Sequence, residues 1–233
     1  MNKGVSDISR TKWIRITNGG TVMTNVIIIR HGQSVANLNR IFAGHFDADL
    51  SELGHKQAEC TAEAIFKRFK VDKIYSSDLK RAYNTACHVA AKFGLDVISD
   101  TAFREIYAGA WEGMYIKDIG EKFPEDFYVW RNDIGNSRCT DGESMQEVGR
   151  RFFARLKEVV SENPNSTIVI ATHAAAIRSL QCTVPKERYD EMQNVPFVSN
   201  ASYSVLESDG EYFDFVEVCC DSHIGDLVTK LMV

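Results

Sequence analysis

The chain of 233 residues is 44% hydrophobic and 25% charged, the composition of a soluble globular protein. Its formal charge of −5 argues against a nucleic acid or an anionic membrane as the main partner, while leaving room for a local basic pocket. No apolar run approaches the roughly 18 residues needed to span a bilayer, and the N-terminus lacks the apolar core of a signal peptide, so a cytoplasmic protein is expected.

Residues 1–23 carry Lys3, Arg10, Lys12 and Arg15 without periodicity and are expected to form an extension dispensable for chemistry, ahead of a single domain over 24–233. That domain opens on Val26-Ile27-Ile28-Ile29, which runs straight into Arg30-His31-Gly32. Four β-branched residues in a row predict a strand buried on both faces. The glycine after it suits a tight turn and a close approach of backbone N–H groups to an anion. A polar loop with Gly44, His45 and Asp47 follows. Ser51 then reads as the N-cap of a helix carrying Ala58, Ala62, Ile65, Phe66 and Phe69. Val71 to Tyr75 predicts the next strand. A helix capped by Asp78 follows, with Arg81 in its first turn and Gly94 as its stop. A short strand is expected over Asp96 to Ser99.

Between 103 and 140 the periodicity breaks, and aromatics mixed with glycines predict an insertion of short helices over one sheet edge. Ser144-Met145-Gln146-Glu147 is a capping box opening a long helix that Asn163-Pro164 stops. Thr167 to His173 repeats the opening pattern, a buried strand delivering a histidine, with a helix from Ala174. The segments Tyr203–Leu206 and Tyr212–Val218 read as a hairpin. Strands alternating with helices predict an α/β fold, a mostly parallel central sheet between two helical layers.

The six cysteines form no Cys-x-x-Cys pair, so reduced thiols are expected, most of them buried as small hydrophobes. His45, His55, His88 and His223 lack metal-ligand spacing, and no metal is expected; His45 is a candidate for the substrate entrance. Cys182 to Arg188 has the Cys-x5-Arg spacing of cysteine-dependent phosphatases. Val184-Pro185 spoils the cradle of N–H groups that such chemistry needs.

Parallel strands end on one sheet edge, so Arg30, His31, Arg81 and His173 are expected to converge. Two arginines and two histidines around one point make a pocket for a phosphoryl dianion. Nearby guanidinium groups would hold an imidazole neutral, as nucleophilic attack on phosphorus requires. The leaving oxygen then needs a carboxylic acid close by.

Arg30-His31-Gly32-Gln33-Ser34 with Asn37, then Ser76-Ser77-Asp78-Leu79-Lys80-Arg81-Ala82, Phe103-Arg104-Glu105-Ile106 and Thr172-His173 resemble, in order, the histidine phosphatase (phosphoglycerate mutase-like) superfamily. The resemblance implies that fold as a three-layer α/β/α sandwich. It further implies His31 as the nucleophile that becomes phosphohistidine, Arg30, Arg81 and His173 as phosphoryl ligands, and Glu105 as general acid. Asn37, Gly44 and Ala174 would complete the pocket, with no cofactor. The partner implied is a small phosphorylated metabolite, and the protein a monomer or homodimer. The run Phe103 to Gly113, with Phe123-Pro124-Glu125 and Asp141-Gly142-Glu143-Ser144, resembles the broad phosphatase branch that includes alpha-ribazole phosphatase. Hydrolysis is therefore expected over mutase-type transfer, which stays as the alternative beside a non-catalytic phosphate-binding module. Three positions depart from the family pattern: Ala174 replaces the usual glycine after the second histidine, Ala110 stands where the phosphatase branch often has a polar or acidic residue, and Asp141 stands where glycine is common.

Overall fold

A computed structural model describes residues 23–184 and 186–229, so the expected N-terminal extension lies, apart from Met23, outside the described residues. Six strands form one sheet in the order β3-β2-β4-β1-β5-β6. At its centre β1 (Thr24–Arg30) runs parallel to β4 (Thr167–Thr172), which pairs with β2 (Lys73–Ser76), and β2 with β3 (Val97–Ser99). On the other side β5 (Tyr203–Ser208) and β6 (Phe213–Cys220) add the expected hairpin, antiparallel to β1.

The apolar run of β1 is divided between two cores, because successive side chains point to opposite faces. Val26 and Ile28 pack with Phe152 and Leu156 of α6 (Met145–Glu162) and with Ile177 and Leu180 of α7 (Ala174–Thr183). Ile27 and Ile29 pack with Ile65 of α2 (Glu52–Arg68) and Val89 of α3 (Lys80–Phe93). All four β1 residues are fully buried, each contributing about 1.5–3 kcal/mol. The sheet is thus a middle layer, and every residue that follows a central strand is delivered to one edge.

Local signals held at most helix ends. Ser51 accepts from the Gly54 N–H, Ser144 and Glu147 form the capping box, and Gly94 takes the left-handed conformation at φ 65°. Asp78 does not cap α3: the N-cap is Leu79, and the Asp78 carboxylate is taken by the Arg104 guanidinium. A bidentate charged pair outcompetes a single backbone N–H. The third strand starts at Val97, one residue late. Of the six cysteines only Cys139 and Cys182 are buried; the other four are half-buried, and all six are free. Cys182 belongs to α7, and Arg188 pairs with Glu191, so the Cys-x5-Arg spacing forms no cradle.

The insertion holds α4 (Ile116–Lys122) and α5 (Pro124–Asn132), with a four-residue α1 (Val35–Leu38) facing it from the loop after β1. Edge-to-face contacts of Trp111 with Phe42, Trp130 and Phe127, at 5.5, 5.7 and 6.0 Å between centroids, fasten it to the main core. Among the described residues no helix is long and apolar enough to cross a membrane.

Candidate active site

His31 and His173 follow neighbouring parallel strands whose register pairs Arg30 with Thr172. The His31 N–H donates to Thr172 O at 2.9 Å, and the two imidazole centroids lie 5.1 Å apart. Gly32 is required by packing: a Cβ there would stand 2.3 Å from Gly54 O, and its N–H donates to Thr85 Oγ1 at 3.1 Å. The Gly32 N–H, expected to approach an anion, is instead spent on α3, and the absence of a side chain serves the close contact with α2.

A carbonyl oxygen can only accept, so the 2.6 Å contact between His31 Nδ1 and Gly32 O places the proton on Nδ1 and the free lone pair on Nε2. Burial, then the charges of Arg81 and Arg30, push the His31 pKa well below the ordinary imidazole value, with the Gly32 carbonyl opposing weakly. Burial and Arg81 do the same to His173, whose two ring nitrogens are buried without a hydrogen-bond partner. Both rings are neutral at neutral pH.

Arg30 and Arg81 are 3% and 1% exposed. Arg30 donates through Nη1 to Val198 O, while its buried Nε has no partner. Burial lowers its pKa to about 10, so it stays charged at pH 7. Arg81, from the first turn of α3, donates through Nη1 to Phe46 O at 3.0 Å and through Nη2 to Gly44 O at 2.7 Å. The loop it grips is held from behind by the Glu112 carboxylate, which accepts from the N–H groups of His45, Phe46 and Ala108 at 2.6–2.8 Å. Gly44 has φ 51° and leaves no room for a side chain, since a Cβ would meet Glu112 Oε1 at 2.3 Å.

Glu105 reaches across to the N-terminus of α7 and accepts from the N–H groups of Ala175 and Ala176 at 3.3 and 3.2 Å. Arg151, itself paired with Glu143, donates to the carbonyls of Ala102, Arg104 and Glu105 and so fixes the segment that carries this carboxylate. His45 Nε2 lies 2.9 Å from Glu105 O, so His45 braces the acid's backbone. The alanines at 174–176 lie in a regular helix and need no positive φ, whereas Asp141 does take φ 57°.

Arg30, His31, Asn37, Gly44, Arg81, Glu105 and Ala174 all line one cavity of about 510 Å³. His173 is fully buried beside His31 and is absent from that wall. Asn37 spends its Oδ1 on the Ser34 and Asn200 donors, at 3.2 and 3.1 Å. Sequence reasoning missed Asn200, whose Nδ2 donates to His31 O at 3.1 Å, and missed Glu112, Arg151 and Arg178. Only Arg178, which also lines the cavity, had a legible signal: it follows Ala174 by four residues on one helix. Among the described residues no group of three or more His, Cys, Asp or Glu side chains is placed to hold a metal ion.

The model of the histidine phosphatase superfamily (branch 1) matches residues 26–221. Phosphoserine phosphatase 1 of Hydrogenobacter thermophilus is 33% identical over 208 residues, 89% of this chain and 98% of that protein. A metal-independent phosphoserine phosphatase of Arabidopsis thaliana is 30% identical over 199 residues, 84% and 81% of the two chains. Among solved structures, a mycobacterial glucosyl-3-phosphoglycerate phosphatase in complex with VO3 superposes with a TM-score of 0.76 at 30% identity, over 83% of this chain and 97% of that one. A phosphoglycerate mutase from Bacillus anthracis shares the fold at 18% identity, with a TM-score of 0.77 over 89% and 97% of the chains. The chain belongs to the histidine phosphatase superfamily.

Proposed function

We propose that this protein hydrolyses a small phosphorylated metabolite through a phosphohistidine on His31. The observation that carries the reading is the neutral His31 imidazole, with its proton committed to Gly32 O, among two buried arginines and a second neutral histidine. Nε2 attacks phosphorus as the bond to the leaving oxygen breaks. Arg30, Arg81 and His173 take the charge that spreads over the phosphoryl oxygens. Glu105 in its acid form gives its proton to the leaving oxygen, then takes one from the water that cleaves the P–N bond. Inorganic phosphate leaves and His31 returns to its starting state.

Hydrolysis is favoured over transfer because the proteins named above at 30% identity or more are phosphatases, acting on phosphoserine or glucosyl-3-phosphoglycerate by their names, while the mutase shares only the fold at 18%. Free thiols suit a reducing compartment, and we place the activity in the cytoplasm. The test is hydrolysis of p-nitrophenyl phosphate by wild type and His31→Ala. Wild type is expected to release phosphate and the variant to lose at least 10³-fold while keeping its circular dichroism spectrum. Wild-type turnover in the folded variant would remove His31 as the nucleophile.

A further inference from the structure

Of the two cavity arginines that this mechanism leaves unused, Arg131 is exposed and Arg178 is half-buried. One helical turn beyond Ala174, it lines the same wall as His31 and Glu105. Its Nη2 donates to Met192 O at 2.9 Å, while its buried Nε has no hydrogen-bond partner. The groups of opposite polarity that face it are the thiols of Cys182 and Cys219. Burial pushes Cys182 up to about 11 and raises Cys219, so both are uncharged at pH 7. A half-buried guanidinium with only neutral neighbours is costly, and an anion that joins it offsets that cost.

The charges on the cavity wall say which anion. Arg30, Arg81 and Arg178 face it from the protein interior, Arg131 stands exposed at the rim, and Glu105 is the acid among the lining residues. The Glu105 carboxyl group is held by the Ala175 and Ala176 N–H groups, and a phosphoryl dianion seated at Arg30 and Arg81 matches two of the three interior charges. One positive charge remains, on a planar fork with donors to spare, and a carboxylate matches it in charge and shape.

We propose that Arg178 is a specificity-determining residue that binds the carboxylate of a substrate whose phosphoryl group sits at Arg30, Arg81 and the two histidines. This rests on the phosphatase reading above. Gln193, on the same wall, supplies a neutral polar group beside the subsite.

The test compares kcat/KM for 3-phosphoglycerate and glycerol 3-phosphate, which differ in the carboxylate, with propane-1,3-diyl bisphosphate as a third substrate. Wild type is expected to favour the carboxylate at least tenfold, mainly through KM, and Arg178→Gln to bring the ratio within about twofold of unity. Should R178Q not fold, Arg178→Lys replaces it, and its point charge is expected to lower the ratio threefold or more. An unchanged ratio in the folded variant, an equal loss on both substrates, or a wild type without the preference overturns the subsite. A preference for the bisphosphate that Arg178 alone supports overturns the carboxylate in favour of a second phosphate. Phosphate release from p-nitrophenyl phosphate by wild type is scored separately. Its absence removes the phosphatase reading; its presence with an unaffected ratio removes only the subsite.

Discussion

The rings of His31 and His173 stand 5.1 Å apart at an interplanar angle of 63°, both buried and both neutral. Two imidazoles so close, with Arg81 beside each, cannot accept protons without strong repulsion. The arrangement that keeps His31 neutral therefore makes the fold sensitive to acid.

The folded pKa of each histidine lies below its unfolded value near 6.5, so below that pH the unfolded chain binds protons that the folded one refuses. The stability these groups contribute is present above pH 6.5 and is lost as pH falls. Between pH 7.5 and 5.5 each costs about 1.4 kcal/mol, so the pair is expected to remove about 2–3 kcal/mol. Urea unfolding at the two pH values checks this, with His31→Gln and His173→Gln each expected to abolish about half the difference. A pH response equal in wild type and both variants would contradict it.

Gly32→Ala is expected to destabilise the protein by about 2–3 kcal/mol or more, because its Cβ would meet the Gly54 carbonyl, which is backbone and cannot swing aside. Urea midpoints against wild type measure this. A loss under about 0.5 kcal/mol would show that α2 shifts freely beneath the catalytic loop.

Glu105→Gln keeps one of the two oxygens that the Ala175 and Ala176 N–H groups reach separately, and it cannot transfer a proton in the first step. Phosphorylation of His31 by an alkyl phosphate should slow by about 10²–10⁴-fold, the usual span for general acid catalysis. With p-nitrophenyl phosphate, whose leaving group departs unprotonated, that first step should slow far less. Single-turnover rates on both substrates decide it, and equal losses would move the acid elsewhere.

The parts of this fold that were legible in the sequence are those fixed locally. Val26 to Ile29 announced a two-faced strand because burial on both sides demands an unbroken apolar run, and Ser51, Gly94 and Ser144 mark helix ends by short-range hydrogen bonds. The convergence of Arg30, His31 and Arg81 followed from parallel strands sharing an edge, whereas Glu105 was named only through the family resemblance. What stayed hidden depends on contacts far apart in the chain. Asp78 turned from cap to ion-pair partner because Arg104 folds back onto it, and Gly32 matters through Gly54. Asn200 reaches the His31 carbonyl across 169 positions, and no spacing rule encodes that bond.

Transfer of the phosphoryl group to His31 Nε2 would leave an intermediate that can be trapped. Wild-type protein mixed with substrate, quenched in alkali and digested for mass spectrometry should carry an acid-labile phosphoryl group on the peptide containing His31. His31→Ala should carry none. An unlabelled wild-type peptide under conditions of active turnover, or a label on another residue, would contradict the account.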